Sequence, residues 1–354
     1  MSSRIERVLE SPGEKLRKEL EKRGWTQNEL AAMIGRSTQS INDIIASRRS
    51  ITPDMAVLLE AATGVTARQW LLLEGMIQLE KAKADTPKDQ VTKRVELFSL
   101  APVSEMMKRG WIIKTRDPNV IESELLKFYG VGQLEKIGSF AANFKISEAH
   151  TPQSAAIAAW LRKVELEASN MPVDSYTRHN IESLVTKLKK SSRKDKPFNT
   201  SKAVMAEYGI RLVYEKHLNQ TYLDGAALKT NGIPTVAMSL RYNRIDNFVF
   251  VLFHELAHVI YHLDSAKNPF WDENPLSRQD LPEERQANYQ AEEWLIPGWQ
   301  YQEFISSCRG KYSKQRIEDF ADYLEIDPGV IVGRLQHDRR INYSQFREFL
   351  KPVQ

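Results

Sequence analysis

Two histidines and a glutamate fall within five residues, in the order His254-Glu255-Leu256-Ala257-His258. If this segment is helical, the histidines lie one turn apart on one face, so both imidazoles can reach a single metal ion. Glu255 then stands beside the first ligand, where it is a candidate base for water at the open position of the ion. A helix that merely carries two histidines and a glutamate is the alternative, and a third ligand would argue against it.

The segments around this motif predict the elements that must hold it. Residues 248–253 and 259–261 consist of Phe, Val, Leu, Ile and Tyr, which predicts a buried helix where a metal site is shielded from water. Upstream, residues 209–214, 225–228 and 233–238 predict three short strands, with an Asn-Gly turn before the last. This part of the chain is therefore expected to form a small α+β domain.

A site with two histidine ligands needs one more protein ligand and leaves a fourth position to water. Downstream, a helix is predicted to start near Pro282 and to stop at Pro297. Its first turn carries the acidic residues Glu283 and Glu284. One face has mostly small side chains, which would let this helix approach the metal helix closely: Glu284, Ala287, Asn288 and Ala291.

The motif and this helix together resemble the ImmA/IrrE metallopeptidase family, in which H-E-x-x-H is followed by E-x-x-A-N-x-F-A-x-x-L-L-x-P. The resemblance implies a zinc metallo-endopeptidase with His254, His258 and Glu284 as zinc ligands and Glu255 as the catalytic residue. Glu283 is the nearest competitor of Glu284. The family's substrates are transcriptional repressors, cut in or near their helix-turn-helix regions. The sequence departs from the pattern at two positions, where the family usually has Phe and Leu: Gln290 and Trp294.

His262 lies one turn beyond His258 on the same stripe of the predicted helix. It could be an extra ligand or a residue that supports the ligands. The preferred interpretation is a polar residue near the helix C-terminus, where a charged imidazole suits the helix dipole. The remaining histidines have no such neighbours and are interpreted as ordinary surface or core residues: His150, His179, His217 and His337.

The first eighty residues predict a different kind of domain, a bundle of five helices. A helix from Glu14 to Arg23 precedes one that Thr26 can cap, with Glu29 at the capping-box position. A turn with a glycine leads to a third helix over 38–46. This order is the helix-turn-helix pattern, in which the helix after the turn enters the major groove of DNA.

The third helix is the candidate recognition helix, and its polar residues are expected to be exposed. Gln and Asn can form paired hydrogen bonds to an adenine edge, and Arg suits phosphates. The candidate DNA contacts are Gln27, Arg36, Ser37, Thr38, Gln39, Ser40, Asn42, Arg48 and Arg49. A bundle that binds protein is the alternative, and the net charge of +4 for the whole chain does not decide between them.

This segment resembles the HigA-like branch of the Cro/C1 (XRE) helix-turn-helix family. The resemblance implies a homodimer on a palindromic double-stranded operator, and it adds a toxin to the protein partners to consider. The residues that carry it are Ser11-Pro12-Gly13-Glu14, Gln27, Glu29-Leu30-Ala31, Ile51-Thr52-Pro53-Asp54-Met55-Ala56, Trp70-Leu71 and Leu73.

Composition sets the remaining bounds. The 354 residues, 42% hydrophobic and 27% charged, are typical of a globular protein with two or three domains. The single cysteine, Cys308, excludes an intramolecular disulfide. No stretch resembles a membrane span or a signal peptide, so we expect a cytoplasmic protein. The expected parts are a helix-turn-helix domain over 1–80, a linker over 81–93, a helical middle segment over 94–196 and a metallopeptidase domain over 197–354.

These observations lead to one hypothesis and one alternative. The hypothesis is a mainly α DNA-binding transcription regulator whose zinc peptidase domain cleaves a repressor or its own chain, the latter near residues 81–92. Cleavage there would release the operator. The alternative is an antitoxin-like repressor whose zinc domain senses or binds a partner without proteolysis.

Overall fold

A computed structural model describes residues 10–85, 87–137, 152–177, 180–219, 221, 223–263, 270–271 and 281–353. His150 and His179 lie outside the described residues. The chain divides into two compact units, Met1–Thr92 and Lys93–Gln354, each considered separately below. Helices dominate both units, which confirms the expectation of a mainly α protein with a small α+β part.

The first unit contains the five expected helices. They are α1 (Pro12–Arg23), α2 (Gln27–Met33), α3 (Thr38–Ile45), α4 (Pro53–Thr63) and α5 (Ala67–Asp85). A polar side chain caps the first turn of each of the first four helices, and Thr26 and Glu29 form the capping box predicted for α2. Such caps satisfy backbone N–H groups that have no partner within the helix. The fully buried core of the bundle is formed by Leu16, Leu30, Ile41, Leu59 and Trp70.

Helix α1 crosses the end of α3 at very close range, and Gly13 makes this contact possible. A Cβ atom at Gly13 would lie 2.6 Å from the main-chain oxygens of both Ile44 and Ile45. Because backbone atoms cannot move aside as a flexible side chain can, only glycine fits here without shifting one of the helices.

Two helices overlap the segment over 81–93 that was expected to be a linker. Helix α5 continues to Asp85, and α6 (Lys88–Leu100) starts just after Pro87 and crosses the boundary between the two units. Most of this segment is therefore helical.

The second unit combines helices with one small sheet. Its elements after α6 are α7 (Val103–Lys108), α8 (Pro118–Tyr129), α9 (Pro152–Ser169), α10 (Ile181–Ser191), α11 (Pro197–Glu207), β1 (Arg211–Tyr214), β2 (Gly225–Thr230), β3 (Ile233–Met238), α12 (Ile245–Ala257), β4 (Phe270–Trp271), α13 (Pro282–Leu295), α14 (Gly298–Cys308), α15 (Lys314–Leu324) and α16 (Pro328–His337). A π-helical turn follows α12 and a 3₁₀ turn follows α16: His258–His262 and Arg347–Phe349. None of the helices in the described parts of the chain combines the length and the apolar character that crossing a bilayer requires.

The three expected strands are confirmed, and a fourth extends the sheet. The strand order is β1-β3-β2-β4, in which β1 and β3 are parallel and the other pairs are antiparallel. Asn231 and Gly232 connect β2 to β3, and both have a positive φ, as a two-residue hairpin turn requires. Strand β4 has only two residues, which pair with Ala226 and Ala227.

The helices before the sheet share a core with it. Trp160 of α9 is fully buried together with Ala226 and Ala237 of the sheet. The Trp160 indole Nε1 donates a hydrogen bond of 2.8 Å to the main-chain oxygen of Glu215, and the guanidinium of Arg109 lies 3.2 Å from the Glu215 carboxylate. Residues 94–196 and 197–354 therefore belong to one compact unit, and the bound expected between them stays a prediction.

We expect Gly13→Ala to destabilise the first unit by about 1–3 kcal/mol, because its methyl group collides with the backbone of α3. Gly75→Ala in α5 is the matched control, since no atom lies within 4 Å of its added Cβ. The control should be neutral or stabilising by about 1 kcal/mol. Amide hydrogen exchange of the full chain, read in peptides from residues 11–70, measures both. Equal protection in the two variants would contradict the close contact.

Candidate metal centre and nucleic-acid interface

Helix α12 is the buried apolar helix that the sequence predicts around the His-Glu pair. All but three of its residues are buried, and the exceptions face one side: Asp246, Asn247 and Phe250. The helix continues into a π-helical turn, in which Leu263 N donates to His258 O over 2.9 Å. Such one-turn π segments are found most often at functional sites.

Three side chains converge between α12 and α13. His254 Nε2 lies 3.1 Å from His258 Nε2 and 3.3 Å from Glu284 Oε2, and His258 Nε2 lies 3.6 Å from Glu284 Oε1. All three side chains are buried. The neighbouring Glu283, the competing ligand candidate, is exposed. The structure thus brings together the three residues that the sequence pattern selects.

These distances suit a metal ion. Bonds of 2.0–2.1 Å to nitrogen and oxygen in a tetrahedral site place neighbouring ligand atoms about 3.3 Å apart, and the three distances in this cluster lie between 3.1 and 3.6 Å. Two imidazole nitrogens and one carboxylate oxygen are also a donor set found in metal sites with an open position. The buried group of His254, His258 and Glu284 can therefore hold a metal ion.

The electrostatics of the cluster also favour metal binding. Burial lowers the pKa of His258 to about 4, so its imidazole is neutral near pH 7. A neutral imidazole and an ionised carboxylate are the states in which these groups bind metals.

Asn288 orients the first histidine. Its Oδ1 lies 3.0 Å from His254 Nδ1, and because an amide oxygen only accepts hydrogen bonds, Nδ1 carries the hydrogen. The lone pair of His254 is then on Nε2, which faces the cluster. The sequence placed Asn288 on the correct face of α13, but its contact with His254 was not predicted.

His262 is the last residue of the π-helical turn, near the helix C-terminus as predicted, and its side chain is buried. Its Nδ1 lies 2.9 Å from His258 Nδ1, and its Nε2 lies 3.0 Å from Gln286 Oε1. Among the described residues, the group that could bind metal comprises His254, His258 and Glu284, without His262. His262 thus contacts His258 at Nδ1, the ring nitrogen that does not face the cluster.

Glu255 is also buried, and Gly225 of β2 makes room for it. A Cβ atom at Gly225 would lie 2.7 Å from Glu255 Oε1 and 2.8 Å from a methyl carbon of Val251. The strand therefore passes directly over the glutamate of the motif. Sequence reasoning missed this role of Gly225, and the signal for it was a glycine at the start of a predicted strand.

A cavity of about 200 Å³ lies at the start of α12 and the end of α13, and none of the three cluster residues lines it. Phe250 lines it and also contacts His254, with the two ring centroids 6.3 Å apart. Arg334 of α16 lines another part of the wall and pairs with Glu292 at 2.8 Å and Asp338 at 2.9 Å. The ion pair with Glu292 connects α16 to α13, the helix that carries Glu284.

In the first unit, most of the candidate DNA contacts reach the surface. Ser40 is the exception, and the expectation that it is exposed is wrong. It lies one helical turn before the buried Ile44 and so belongs to the inner face of α3. Ser37 is the N-cap of α3, as predicted. The exposed or partly exposed candidates are Gln27, Arg36, Ser37, Thr38, Gln39, Asn42, Arg48 and Arg49.

Asp43 holds two of these side chains. Its Oδ1 accepts a hydrogen bond of 2.9 Å from Gln39 Nε2 and bonds of 2.9 and 3.1 Å from the Arg48 guanidinium. The amide of Gln39 and the charge of Arg48 are therefore already engaged on the surface of α3.

Comparison with known proteins bears on the first unit. Residues 16–70 match the sequence model of the helix-turn-helix family. These residues form a helix-turn-helix DNA-binding domain. Domains of this kind place their second motif helix, here α3, in the major groove, and the match supports a role in transcription regulation. A search of curated proteins finds no match to the chain. The resemblance of the second unit to the ImmA/IrrE family stays a prediction.

We expect Gly225→Ala to displace Glu255 and to destabilise the second unit by about 1–3 kcal/mol, because the added methyl group overlaps the carboxylate. Gly132→Ala is the matched control in the same unit, with no atom within 4 Å of the new Cβ. Urea unfolding followed by hydrogen exchange in peptides from α12 measures the difference. Equal midpoints for the two variants would show that β2 does not press on Glu255.

Proposed function

We propose that the protein is a DNA-binding transcription regulator whose second unit is a zinc metallo-endopeptidase. The observation that carries the proposal is the buried cluster of His254, His258 and Glu284, with Glu255 next to the first ligand. The helix-turn-helix domain supplies the DNA-binding half of the proposal. The resemblance of the sequence motifs to the ImmA/IrrE family supports zinc as the ion and a peptide bond as the target.

The chain's own residues would divide the work as follows. His254, His258 and Glu284 hold the ion, and Asn288 keeps the lone pair of His254 directed at it. When bound, zinc supplies Lewis acidity, which activates water and polarises a carbonyl group. Glu255 accepts a proton from water on its carboxylate and delivers it to the amine nitrogen of the leaving group.

The substrate class follows from the resemblance and from the arrangement of the chain. Substrates of the family are transcriptional repressors, and this chain carries a repressor-like domain of its own. We propose that it cleaves such a repressor, or its own chain near residues 81–92. Since peptidases hold substrates in an extended conformation, the break between α5 and α6 around Pro87 is the favoured place within that segment.

On DNA, we propose that the protein binds a palindromic operator as a homodimer. Gln39 and Asn42 of α3 would contact base edges, and the arginines that flank the helix would contact phosphates. Gln39 must leave Asp43 to do so, because its amide is bound to that carboxylate in the free protein.

A second candidate function is an antitoxin-like repressor that senses or binds a partner without proteolysis. One observation favours it: the ligands come from two helices, α12 and α13, so an ion would also hold the fold together. A purely structural ion has no use for Glu255, which weighs against this candidate. If Glu255→Gln left promoter regulation unchanged while His254→Ala unfolded the second unit, the second candidate would be correct.

We expect Glu255→Gln to bind one zinc ion per chain, as the unaltered protein does, and to lose cleavage by a factor of about 10²–10⁴. Native mass spectrometry of both proteins, incubated with zinc for hours, measures metal content and fragments together. Glu283→Gln is the matched control on an exposed glutamate, and it should cleave normally. Zinc in all three proteins without fragments would contradict self-cleavage, and no zinc in any of them would contradict the metal site.

We expect Gln39→Ala to weaken binding to the preferred duplex by about 1–3 kcal/mol and to relax its sequence preference, because a base contact is lost. Arg49→Ala should weaken binding to all sequences alike and should reduce the salt slope by about 1. The duplex is first selected from a random library with the full chain, and fluorescence anisotropy across salt concentrations then gives the affinities. Arg17→Ala, outside α3, is the control and should change neither quantity.

A further inference from the structure

We infer that His262 and Gln286 are positioning residues that fix the tautomer of His258, so that its Nε2 can bind a metal ion. The inference rests on the proposed metal site and adds to it the means by which the second histidine ligand is prepared. A chain of hydrogen bonds runs from the side-chain amide of Gln286 through His262 to His258, one of the three cluster residues.

The chain of hydrogen bonds has two steps. Gln286 Oε1 lies 3.0 Å from His262 Nε2, and His262 Nδ1 lies 2.9 Å from His258 Nδ1. His262 and His258 are both buried, and their ring centroids are 5.0 Å apart. Bulk water is thus kept from these rings, and protein groups determine which nitrogen carries each hydrogen.

The direction of the hydrogen bonds follows from the amide oxygen of Gln286. An amide oxygen only accepts, so His262 Nε2 carries the hydrogen, and in a neutral imidazole Nδ1 is then an acceptor. His258 Nδ1 must therefore donate, which leaves the lone pair of His258 on Nε2. That nitrogen is the one that faces His254 and Glu284.

The tautomer of His254 is fixed by a single hydrogen bond. Asn288 Oδ1 accepts directly from His254 Nδ1, so the lone pair of His254 is also on Nε2. The two Nε2 atoms face each other at 3.1 Å beside the Glu284 carboxylate, where a metal ion would accept both lone pairs. Helix α13 therefore provides one ligand and, at Gln286 and Asn288, the amides that prepare the other two.

Gln286→Leu removes the acceptor at His262 Nε2, and the opposite tautomer of His262 would place a hydrogen on His258 Nε2. Loss of such a supporting hydrogen bond typically weakens metal binding by a factor of about 10–100. Gln286→Glu keeps an acceptor oxygen whichever way the carboxylate turns, so its zinc affinity should stay at or above that of the unaltered protein. Gln290→Leu makes the same chemical change on the same helix and is the control.

The experiment measures the dissociation constant for zinc of the full chain by competition with a chromophoric chelator. His262→Phe, which keeps a buried ring but has no acceptor, should show the same loss as Gln286→Leu. Combining the two should add nothing, because Gln286 acts only through His262. Circular dichroism of each metal-free variant establishes that it is folded.

The outcomes separate this inference from the proposed function. A loss of 10–100-fold in Gln286→Leu, with Gln286→Glu and Gln290→Leu unchanged, supports the positioning role. Tight zinc binding by the unaltered protein with no change in Gln286→Leu would overturn the positioning role and leave the metal site in place. Equal losses in Gln286→Leu and Gln290→Leu would also overturn it. Absence of zinc binding by the unaltered protein would overturn both.

Discussion

The second unit depends on one constraint, the burial of polar side chains within its most apolar helix. His254, Glu255 and His258 interrupt a helix whose other inward residues are hydrophobic, and each is 6% exposed or less. Buried polar groups are costly unless they are paired. Much of that pairing comes from α13, whose small residues Ala287 and Ala291 are fully buried and let the two helices approach closely. The pairing of these polar groups and the close packing of the alanines therefore both require α13 to lie in the same position against α12.

Features that depend on a few neighbouring residues were predictable from the sequence. The capping box of Thr26 and Glu29 is an example, since both of its bonds lie within the first turn of α2. The Asn231-Gly232 turn is another, because few residues tolerate its backbone angles. The spacing of His254 and His258 on one helix belongs to the same class. In each case the geometry follows from local backbone conformation, which sequence patterns describe well.

Features that depend on distant parts of the chain were not predictable. The contact of Gly225 with Glu255 joins residues thirty positions apart, and neither residue type reveals it. The contact between His262 and Gln286 joins residues of two different helical segments, so it depends on how α13 packs and not on a local pattern. Ser40 shows the same limit within a single helix. Its polar side chain suggested exposure, but the rotation of α3 against α1 set by Ile41 and Ile44 places it inside.

The ion pair between Asp43 and Arg48 affects how strongly α3 is attracted to the phosphates of DNA. Arg48 is paired with Asp43 at 2.9 Å in the free protein, so its charge is already partly neutralised by the protein itself. The favourable entropy of binding DNA comes largely from small ions that basic residues displace from the phosphates. An arginine that is already paired with a carboxylate of the protein displaces fewer of these small ions. We therefore expect the surface of α3 to bind random DNA less tightly than its number of arginines implies, which would leave more of the affinity to sequence.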